Sequence, residues 1–524
     1  MAEQARPDEK PPVSNSGAAL SRIILIRRNF AIVWLAPLLA LIAFGSWALA
    51  SPIASSPDDD FHLTSLWCAY ESPETCLPGD SSTTRTVPGE LIDARCFASK
   101  PYVSAACQED LFEHKVYPNT VTKRGNFNGG YPQVYYKVMG VFAGPDVASS
   151  VLLMRAINIA LFVGFASVLF GLLPQTRRST LIWGWLLTTV PLGAFLVASN
   201  NPSAWAVTGV GSSFLATLGY LESQGRRRAV FAMLMLIATL MAAGSRGDAA
   251  MYVVIAIGSA LVLKANLSKR FVVACIAPFT ASIVALILFV TSRQATASVT
   301  GIQGGAGPGE SGGGTGLQLL VHNVFHITSL WSGVLGGWGL GWLDTRMPDI
   351  VPAASTAAFI AVGFKGLQIL TRRKALVIIG VVALLAAVPL LVLQQGGDAV
   401  GVDVQPRYIL PLVVVLGFVL VFEPVSRSLT LSRAQRWAVI IAISTANAVA
   451  LFTNIRRYVT GIDNPGLNLD NGAEWWWSIP VSPMALWSIG SIAFALLASI
   501  LVRETDRIVS SMPATMVTEP ESTG

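Results

Sequence analysis

Long apolar runs recur along the whole chain, and they constrain its fold more than any other feature. A helix that crosses a bilayer needs about 20 predominantly apolar residues. Twelve runs of roughly this length lie near residues 30–50, 150–173, 180–199, 203–221, 229–244, 249–264, 271–292, 350–370, 375–394, 408–425, 436–453 and 481–502. Only 13% of the 524 residues are charged, half of the about 25% typical of soluble domains. The sequence therefore predicts an all-α polytopic membrane protein with about 12 transmembrane helices. It excludes a soluble enzyme, a disordered protein and a single-span receptor.

Basic residues are concentrated at every second connection between these runs. The net charge of +6 and the pI near 9.1 would also suit a nucleic-acid-binding protein. However, Lys and Arg lie in short clusters between apolar runs, which is typical of the cytoplasmic loops of membrane proteins. The clusters are Arg177 and Arg178, Arg226 to Arg228, Lys264 with Lys269 and Arg270, Arg372 to Lys374, Arg427 with Arg433 and Arg436, and Arg503 with Arg507. We therefore predict a multi-pass membrane protein with both termini in the cytoplasm, and no nucleic-acid partner.

Composition divides the chain into a transmembrane domain, residues 30–507, and two tails. Residues 1–29 and 508–524 are predicted to be disordered and cytoplasmic. Ala48-Leu49-Ala50 resembles a signal-peptidase site. The preceding apolar run is too long for a signal peptide, so we expect it to be retained as the first helix.

The first large extracytoplasmic segment, residues 51–149, is long enough to form a small lobe with its own packing. It holds four of the five cysteines, Cys68, Cys76, Cys96 and Cys107. An even number of cysteines on the oxidising side of a membrane indicates two disulfides. Three pairings are compatible with the sequence.

The second large extracytoplasmic segment, residues 293–349, begins with a Gly-rich stretch over 301–316 that lacks the Gly-Lys-Ser/Thr ending of a phosphate-binding loop. We interpret it as a flexible linker. The following residues, Leu317 to Trp331, are predicted to form a helix at the membrane surface, with polar residues on one face. His322 and His326 on that face have the spacing of a metal motif but lack its Glu.

Three consecutive carboxylates, Asp58, Asp59 and Asp60, follow the first helix and precede His62. A solvated turn would explain them, because Pro and Asp are ordinary turn residues. Alternatively, adjacent carboxylates can divide their roles, so that one accepts a proton while another orients it or binds a metal. The catalytic candidates are Asp58 and Asp59, and His62 would hold the acceptor or a carboxylate. A divalent cation, Mg²⁺ or Ca²⁺, bound by the three carboxylates is a further hypothesis.

Several cations lie near the same predicted outer ends of the helices. Ionisable groups at membrane depth usually face protein or a wet cavity, because a charge at mid-membrane costs about 2.5–3.5 kcal/mol on insertion scales. Snorkelling to headgroups or a structural pair with Asp248 would also account for some of them. The candidates for substrate binding are Arg155, Arg246, Arg407 with Tyr408, Arg456 and Arg457.

A family resemblance connects these motifs. Pro57 to His62 resembles a Pro-Asp-Glu-x-x-His block, and Tyr131 to Tyr136 resembles a Tyr/His-Pro-Pro-x-Tyr-Tyr block. Arg155 and Asn158 match Arg-x-x-Asn, and Asn201-Pro202 matches an Asn-Pro-Asp turn. Gly341 to Thr345 matches Gly-Trp-Leu-Asp-Thr, and Gln405 to Pro411 is similar to Gln-Gly-Arg-Tyr-Phe-x-Pro. The chain thus resembles a bacterial family of polytopic membrane proteins of unknown function that is grouped with the GT-C glycosyltransferases. It departs from the pattern at Asp59, Gln133 and Ser203.

The resemblance implies a GT-C-like arrangement in the bacterial plasma membrane. The active site would be extracytoplasmic, and an acidic residue of the first loop would be the catalytic base. It adds Tyr135, Tyr136 and Asp344 to the substrate-binding candidates. The hypothesis is transfer of a sugar, with inversion, from a polyprenyl-phosphate donor to a cell-envelope glycan or lipid acceptor. Arg407, Arg246 or the Arg456/Arg457 pair would stabilise the departing phosphate. A transporter or flippase of lipid-linked glycans and a non-catalytic envelope-assembly scaffold are the alternatives.

Overall fold

A computed structural model of the chain describes residues 31–510, apart from 71, 73–74, 110, 112–118, 293–315, 402–403 and 425–428. The first helices are α1 (Ala36–Leu49), α2 (Asp59–Trp67), α3 (Glu90–Asp93), α4 (Gln133–Gly140), α5 (Val147–Leu172), α6 (Gln175–Thr188), α7 (Leu192–Val197), α8 (Ser203–Glu222), α9 (Gly225–Ser245) and α10 (Gly247–Lys264). They continue with α11 (Lys269–Ala274), α12 (Ile276–Thr291), α13 (Gly316–His326), α14 (Thr328–Ser332), α15 (Ile350–Gly366), α16 (Arg372–Gly396), α17 (Pro406–Val421), α18 (Arg433–Val459) and α19 (Pro483–Ser510). The strands are β1 (Leu77–Pro78), β2 (Arg85–Val87) and β3 (Thr120–Thr122).

The prediction of an all-α, multi-pass architecture is confirmed, because each predicted apolar run coincides with helix. Within the described ranges, eight helical spans are long and apolar enough to cross a membrane, with α11 and α12 counted together as one span. Helices α1, α15 and α17 are shorter apolar helices. The run over 180–199 is divided into α6 and α7 near Pro191. Proline lacks an amide donor and its ring clashes with the preceding turn, so it kinks or breaks a helix; the helix is broken at Pro191, whereas α16 continues through Pro389.

Helix α8 lies at the centre of the bundle, where 94% of its apolar stretch is buried. Small residues allow its neighbours to approach closely, as is common between transmembrane helices. A Cβ on Gly209 would lie 2.5 Å from the Ala238 carbonyl oxygen of α9. A Cβ on Gly211 would lie 2.5 Å from the ring of Trp185 in α6.

The segment between α1 and α5 folds into the predicted lobe. The strands β1, β2 and β3 form an antiparallel sheet in that order, with Thr86 of β2 opposite both Leu77 and Val121. The two predicted disulfides are present, and of the three pairings the structure has Cys68–Cys76 and Cys96–Cys107.

The predicted surface segment after the Gly-rich stretch is helical in α13 and α14. Leu317 and Phe325 are exposed on α13, whereas Asn323 is buried and bonded to Asp398 and Val400. The rings of His322 and His326 stack at 4.1 Å. The position of α13 and α14 at the membrane surface stays a prediction.

Several sequence predictions fall outside the described residues. These are the two tails over 1–29 and 511–524 and most of the Gly-rich stretch, residues 301–315.

Candidate functional site

The turn that joins α1 to α2, residues 50–58, is buried and is held by side chains from distant parts of the chain. The carbonyl oxygens of residues 48 to 55, and that of Pro57, each accept a hydrogen bond from a side chain of another segment. Arg155 donates to the carbonyls of residues 48, 51 and 52. The carbonyls of residues 49, 50, 53, 54 and 55 accept from Trp477, Asn454, Gln108, Trp342 and Tyr458, respectively. The Pro57 carbonyl accepts from both Asn201 and Arg407.

These hydrogen bonds explain how an irregular backbone can persist here. Buried carbonyl groups are costly unless they are paired, and irregular backbone is tolerated at membrane depth only where protein or a wet cavity satisfies it. Asp58 has a φ of 60°, a left-handed conformation that the surrounding structure must enforce for a residue other than glycine. The turn therefore presents Asp58 in a fixed position.

Asp58 is the partly exposed carboxylate of the three. Its side chain is 37% exposed, and its Oδ2 accepts a 2.5 Å hydrogen bond from Nη2 of Arg407, whose side chain is only 2% exposed. Arg124 of the lobe lies 3.4 Å from Oδ1. Burial by itself raises the pKa of Asp58, but the charge of Arg407 and the smaller effects of His62 and Arg124 lower it to about 2. Asp58 is therefore ionised at neutral pH.

Asp59 and Asp60 are buried and have different partners. Oδ2 of Asp59 accepts from the Ser56 amide at 3.0 Å, and its Oδ1 has no partner within the described part of the chain. Burial raises the pKa of Asp59 to about 7. Asp60 accepts from Arg95 at 2.7 Å and from Nε of Arg124 at 2.9 Å. Of the two predicted catalytic carboxylates, only Asp58 is thus open to solvent.

This arrangement corrects the hypothesis of a metal bound by Asp58, Asp59 and Asp60. Asp58 and Asp60 both pair with the guanidinium of Arg124, whereas Asp59 accepts from the Ser56 amide, so the three carboxylates do not converge on one point. Among the residues that the structure describes, no group of three or more His, Cys, Asp or Glu side chains could hold a metal ion.

His62 lies behind Asp58, in an aromatic pocket. Its Nδ1 is 2.9 Å from the hydroxyl of Tyr136, and Tyr131 packs edge-on against its ring. Burial lowers the pKa of His62 to about 3, because the attraction of Asp58 does not compensate for lost solvation. The imidazole is therefore neutral at pH 7. Its Nε2 has no partner within the described segments.

A second buried guanidinium, Arg246, lies near Arg407. It forms a bidentate pair with Asp248 at 2.9 and 2.7 Å. Arg246 and Arg407 both lie over the ring of Tyr408, at 4.6 and 5.0 Å. Nη1 of Arg246 and Nε of Arg407 have no hydrogen-bond partner in the described portion. Unsatisfied buried donors usually meet a ligand or an ordered water, so this cluster can accept an anion.

The other predicted substrate-binding cations are engaged in holding the protein together. The three hydrogen bonds of Arg155 go to the Ala48 carbonyl at the end of α1 and to the Ser51 and Pro52 carbonyls of the turn. Arg457 pairs with Asp344 at 2.8 Å and also donates to the lobe carbonyls of Phe97 and Val103. Arg456 donates to carbonyls of the loop that follows α18. The structure thus gives Arg155, Asp344, Arg456 and Arg457 positions that support the site.

Tyr135 and Tyr136 are fully buried. The Tyr135 ring packs against Trp205 at 5.3 Å, and Tyr136 reaches His62. Tyr136 can therefore orient the imidazole, whereas Tyr135 packs behind it.

Sequence reasoning missed Arg95 and Arg124 of the lobe, which pair with Asp60, and Gln108 and Asn454, which hold the turn. Nothing in the pattern of an irregular loop identifies Arg95 or Arg124. Asn454 lies two residues before Arg456 on the same helix, so its polarity near a membrane-helix end was the available signal.

Comparison with known proteins gives one family. No curated protein sequence matches the chain. A solved structure, that of ArnT from Cupriavidus metallidurans bound to undecaprenyl phosphate, aligns with 94% of this chain and 78% of its own at 13% identity and a TM-score of 0.41. Residues 41–416, more than half of the chain, match a family described as predicted membrane protein, DUF2142. The chain therefore belongs to the DUF2142 family of membrane proteins.

Proposed function

We propose that this protein is a membrane glycosyltransferase of the extracytoplasmic face. It would transfer a sugar from a polyprenyl-phosphate donor to a cell-envelope glycan or lipid acceptor. The observation that carries the proposal is the partly exposed carboxylate of Asp58 beside two buried arginines, Arg407 and Arg246, which each retain an N–H group without a partner among the described residues. A base and an anion-binding cluster side by side are what the transfer of a glycosyl group from a phosphate requires.

The donor class follows from the predicted topology. The basic connections lie at the ends of the helices opposite to Asp58, so Asp58 would face away from the cytoplasm. Nucleotide sugars are cytoplasmic, and a transferase on the other side needs a lipid-linked donor. The phosphate of such a donor lies at the bilayer interface, which is the depth proposed for Arg407 and Arg246.

In the proposed reaction, Asp58 accepts the proton of the acceptor hydroxyl as its oxygen attacks the anomeric carbon. The bond from that carbon to the phosphate oxygen breaks, and the electron pair leaves with the polyprenyl phosphate. The configuration of the sugar is inverted. Base catalysis contributes about 10²–10⁴-fold. The guanidiniums of Arg407 and Arg246 stabilise the charge that develops on the leaving phosphate.

The Asp58–Arg407 pair connects donor binding to the base. A carboxylate with a pKa of about 2 is ionised but is a weak base, and general bases work best with a pKa near the operating pH. A donor phosphate that shares Arg407 would draw positive charge away from Asp58 and raise the pKa of its carboxyl. The base would then become stronger when the donor is bound.

The supporting residues would act by position. Arg155, Asn201 and Trp342 bond to the turn that carries Asp58. Arg457 connects α18 to the lobe through the Val103 carbonyl and is itself held by Asp344. We propose that the acceptor binds on the side of the lobe. The cavity beside Pro57 and Arg407 measures only about 10 Å³. We therefore expect substrates to approach the exposed face of Asp58.

The test is reconstitution of the purified protein in lipid vesicles with radiolabelled polyprenyl-phosphate sugars and crude envelope acceptors. Asp58→Asn is the test variant. Asp80→Asn is the matched control, since Asp80 is an exposed lobe carboxylate. We expect transfer by the wild type and by Asp80→Asn, and none by Asp58→Asn at equal membrane abundance. Full activity of Asp58→Asn would remove the proposed base. Movement of the lipid-linked sugar across the vesicle without transfer would favour a transporter.

A further inference from the structure

A groove lies along α11 and α12, and none of the residues of the Asp58 site lines it. Its volume is about 740 Å³, within the about 300–1,000 Å³ of small-molecule sites. Apolar side chains form most of it, including Val272, Ile276, Phe279 and Ile283, all of which are exposed. Together α11 and α12 form the least buried of the eight long spans. The groove is therefore open to the acyl chains of the bilayer.

The amide and guanidinium groups that line the groove lie at one end. Asn266, in the connection between α10 and α11, and Arg373, in the first turn of α16, line it there. Three further cations are close in the chain to these two residues, namely Lys269, Arg270 and Arg372. The groove thus has an apolar length and a cationic end.

Within the described residues, no carboxylate forms an ion pair with these cations. The sequence has no Asp or Glu between Asp248 and Glu310, nor between Asp349 and Asp398. Among the residues that the structure describes, Lys269, Arg270, Arg372 and Arg373 form no salt bridge.

Three other cations at the same end of the bundle are instead paired with carboxylates. Arg177 and Lys264 share Glu222 at 2.8 and 2.9 Å, and Arg436 pairs with Asp506. A basic pocket between transmembrane helices on the cytoplasmic side is a site for an anionic lipid headgroup. The positive charge at the groove is therefore available to a ligand.

We propose that this groove binds an anionic phospholipid, with the phosphate at Arg373 and Asn266 and an acyl chain along Ile276, Phe279 and Ile283. Charge complementarity favours this occupant over a zwitterionic lipid. It also favours it over a second copy of the chain, which would bring the same positive charge to the same end. The site is separate from the Asp58 cluster, so its test does not depend on transferase activity.

The test is binding of fluorescent phosphatidylglycerol to the purified full-length protein in detergent, compared with phosphatidylcholine that carries the same acyl chains. Arg373→Gln removes the charge at the groove. Thr280→Trp fills the groove without a change of charge, since Thr280 is an exposed lining residue. Arg226→Gln is the matched control, because Arg226 is an exposed cation at the same end of the bundle but outside the groove lining.

The wild type is expected to bind phosphatidylglycerol more tightly than phosphatidylcholine. Arg373→Gln should weaken phosphatidylglycerol binding roughly fivefold, as for one cation near a membrane surface. Thr280→Trp should weaken binding of both lipids, and Arg226→Gln should leave binding unchanged. Equal binding of the two lipids, or equal effects of Arg373→Gln and Arg226→Gln, would overturn the proposal. A wild-type dimer that persists when lipid is added, but that dissociates in the Thr280→Trp variant, would assign the groove to a second copy of the chain.

Discussion

Removal of Arg407 is the sharpest perturbation of the candidate site. Its guanidinium donates to Oδ2 of Asp58 at 2.5 Å, to the Pro57 carbonyl at 2.9 Å and to the Tyr408 hydroxyl at 3.1 Å. Arg407→Gln loses the charge and the fork of donors, whereas Arg407→Lys keeps the charge without the fork. The two variants separate the electrostatic role of Arg407 from its geometric role.

The magnitude follows from these contacts. Breaking a fully buried ion pair costs about 3–5 kcal/mol, but Asp58 is 37% exposed and water can solvate its carboxylate. The Pro57 carbonyl also keeps its 3.0 Å hydrogen bond from Asn201. We therefore expect Arg407→Gln to lower the free energy of unfolding by only about 1–3 kcal/mol. The transfer rate should fall about 10²–10³-fold, as it does when one preorganised donor is lost.

The pH dependence gives the decisive readout. Burial raises the pKa of Asp58, and Arg407 is the main opposing charge that holds it at about 2. Without Arg407 that pKa should rise. Asp58 acts in its ionised form, so the rate is lost as pH falls through its pKa. The acid limb of the rate profile should move to higher pH in Arg407→Gln and stay low in Arg407→Lys.

The assay is the transfer rate in vesicles between about pH 4 and pH 9, a range on either side of ordinary carboxyl and imidazole pKa values. Infrared titration of the Asp58 carboxyl, with Asp58→Asn as the blank, measures the same pKa without requiring turnover. An unmoved carboxyl pKa in folded Arg407→Gln would show that Arg407 does not control Asp58.

Three further predictions concern stability. Burial raises the pKa of Asp59 to about 7, above its ordinary value of 3.8. The contribution of the Asp59 carboxyl to the free energy of unfolding is therefore fully present below about pH 4 and is lost as pH rises through about 7. Asp59→Asn should therefore unfold at a higher temperature than the wild type at pH 8 and at a similar temperature at pH 5, and the reverse order would contradict the burial argument. Cys96→Ser/Cys107→Ser opens a loop of sequence separation 11 and should cost about 3 kcal/mol, measured as a lower denaturation midpoint of the lobe; an unchanged midpoint would mean that the lobe does not need this disulfide. Gly209→Val should lower the melting temperature by an amount equivalent to about 1–3 kcal/mol, because its Cβ would meet the Ala238 carbonyl oxygen at 2.5 Å; Gly45→Val, where a Cβ meets nothing within 4 Å, is the control and should leave it nearly unchanged.

The spans could be predicted from the sequence because hydrophobicity and charge are local properties. An apolar run of sufficient length must be helical in a bilayer, since lipid offers no partners for its backbone groups. For the same reason the sequence indicated the lobe between α1 and α5 and the presence of two disulfides, whereas the interruption of the 180–199 run near Pro191 appeared only in the structure. The motifs also led to Asp58, His62 and Arg407, because ionisable side chains close to apolar runs are costly and seldom incidental.

Tertiary structure decided which of these polar groups faces solvent and which only supports the turn. Asp58, Asp59 and Asp60 are equivalent in sequence, but the left-handed backbone at Asp58 and the start of α2 leave only Asp58 partly exposed. Arg155 was a candidate for substrate binding, yet it satisfies carbonyls more than 100 residues earlier in the chain. Such partners are not encoded near either residue, because burial and hydrogen bonding between distant segments exist only after the helices pack. The sequence by itself determined where the membrane helices and the ionisable groups lie, and the packing decided what each ionisable group can touch.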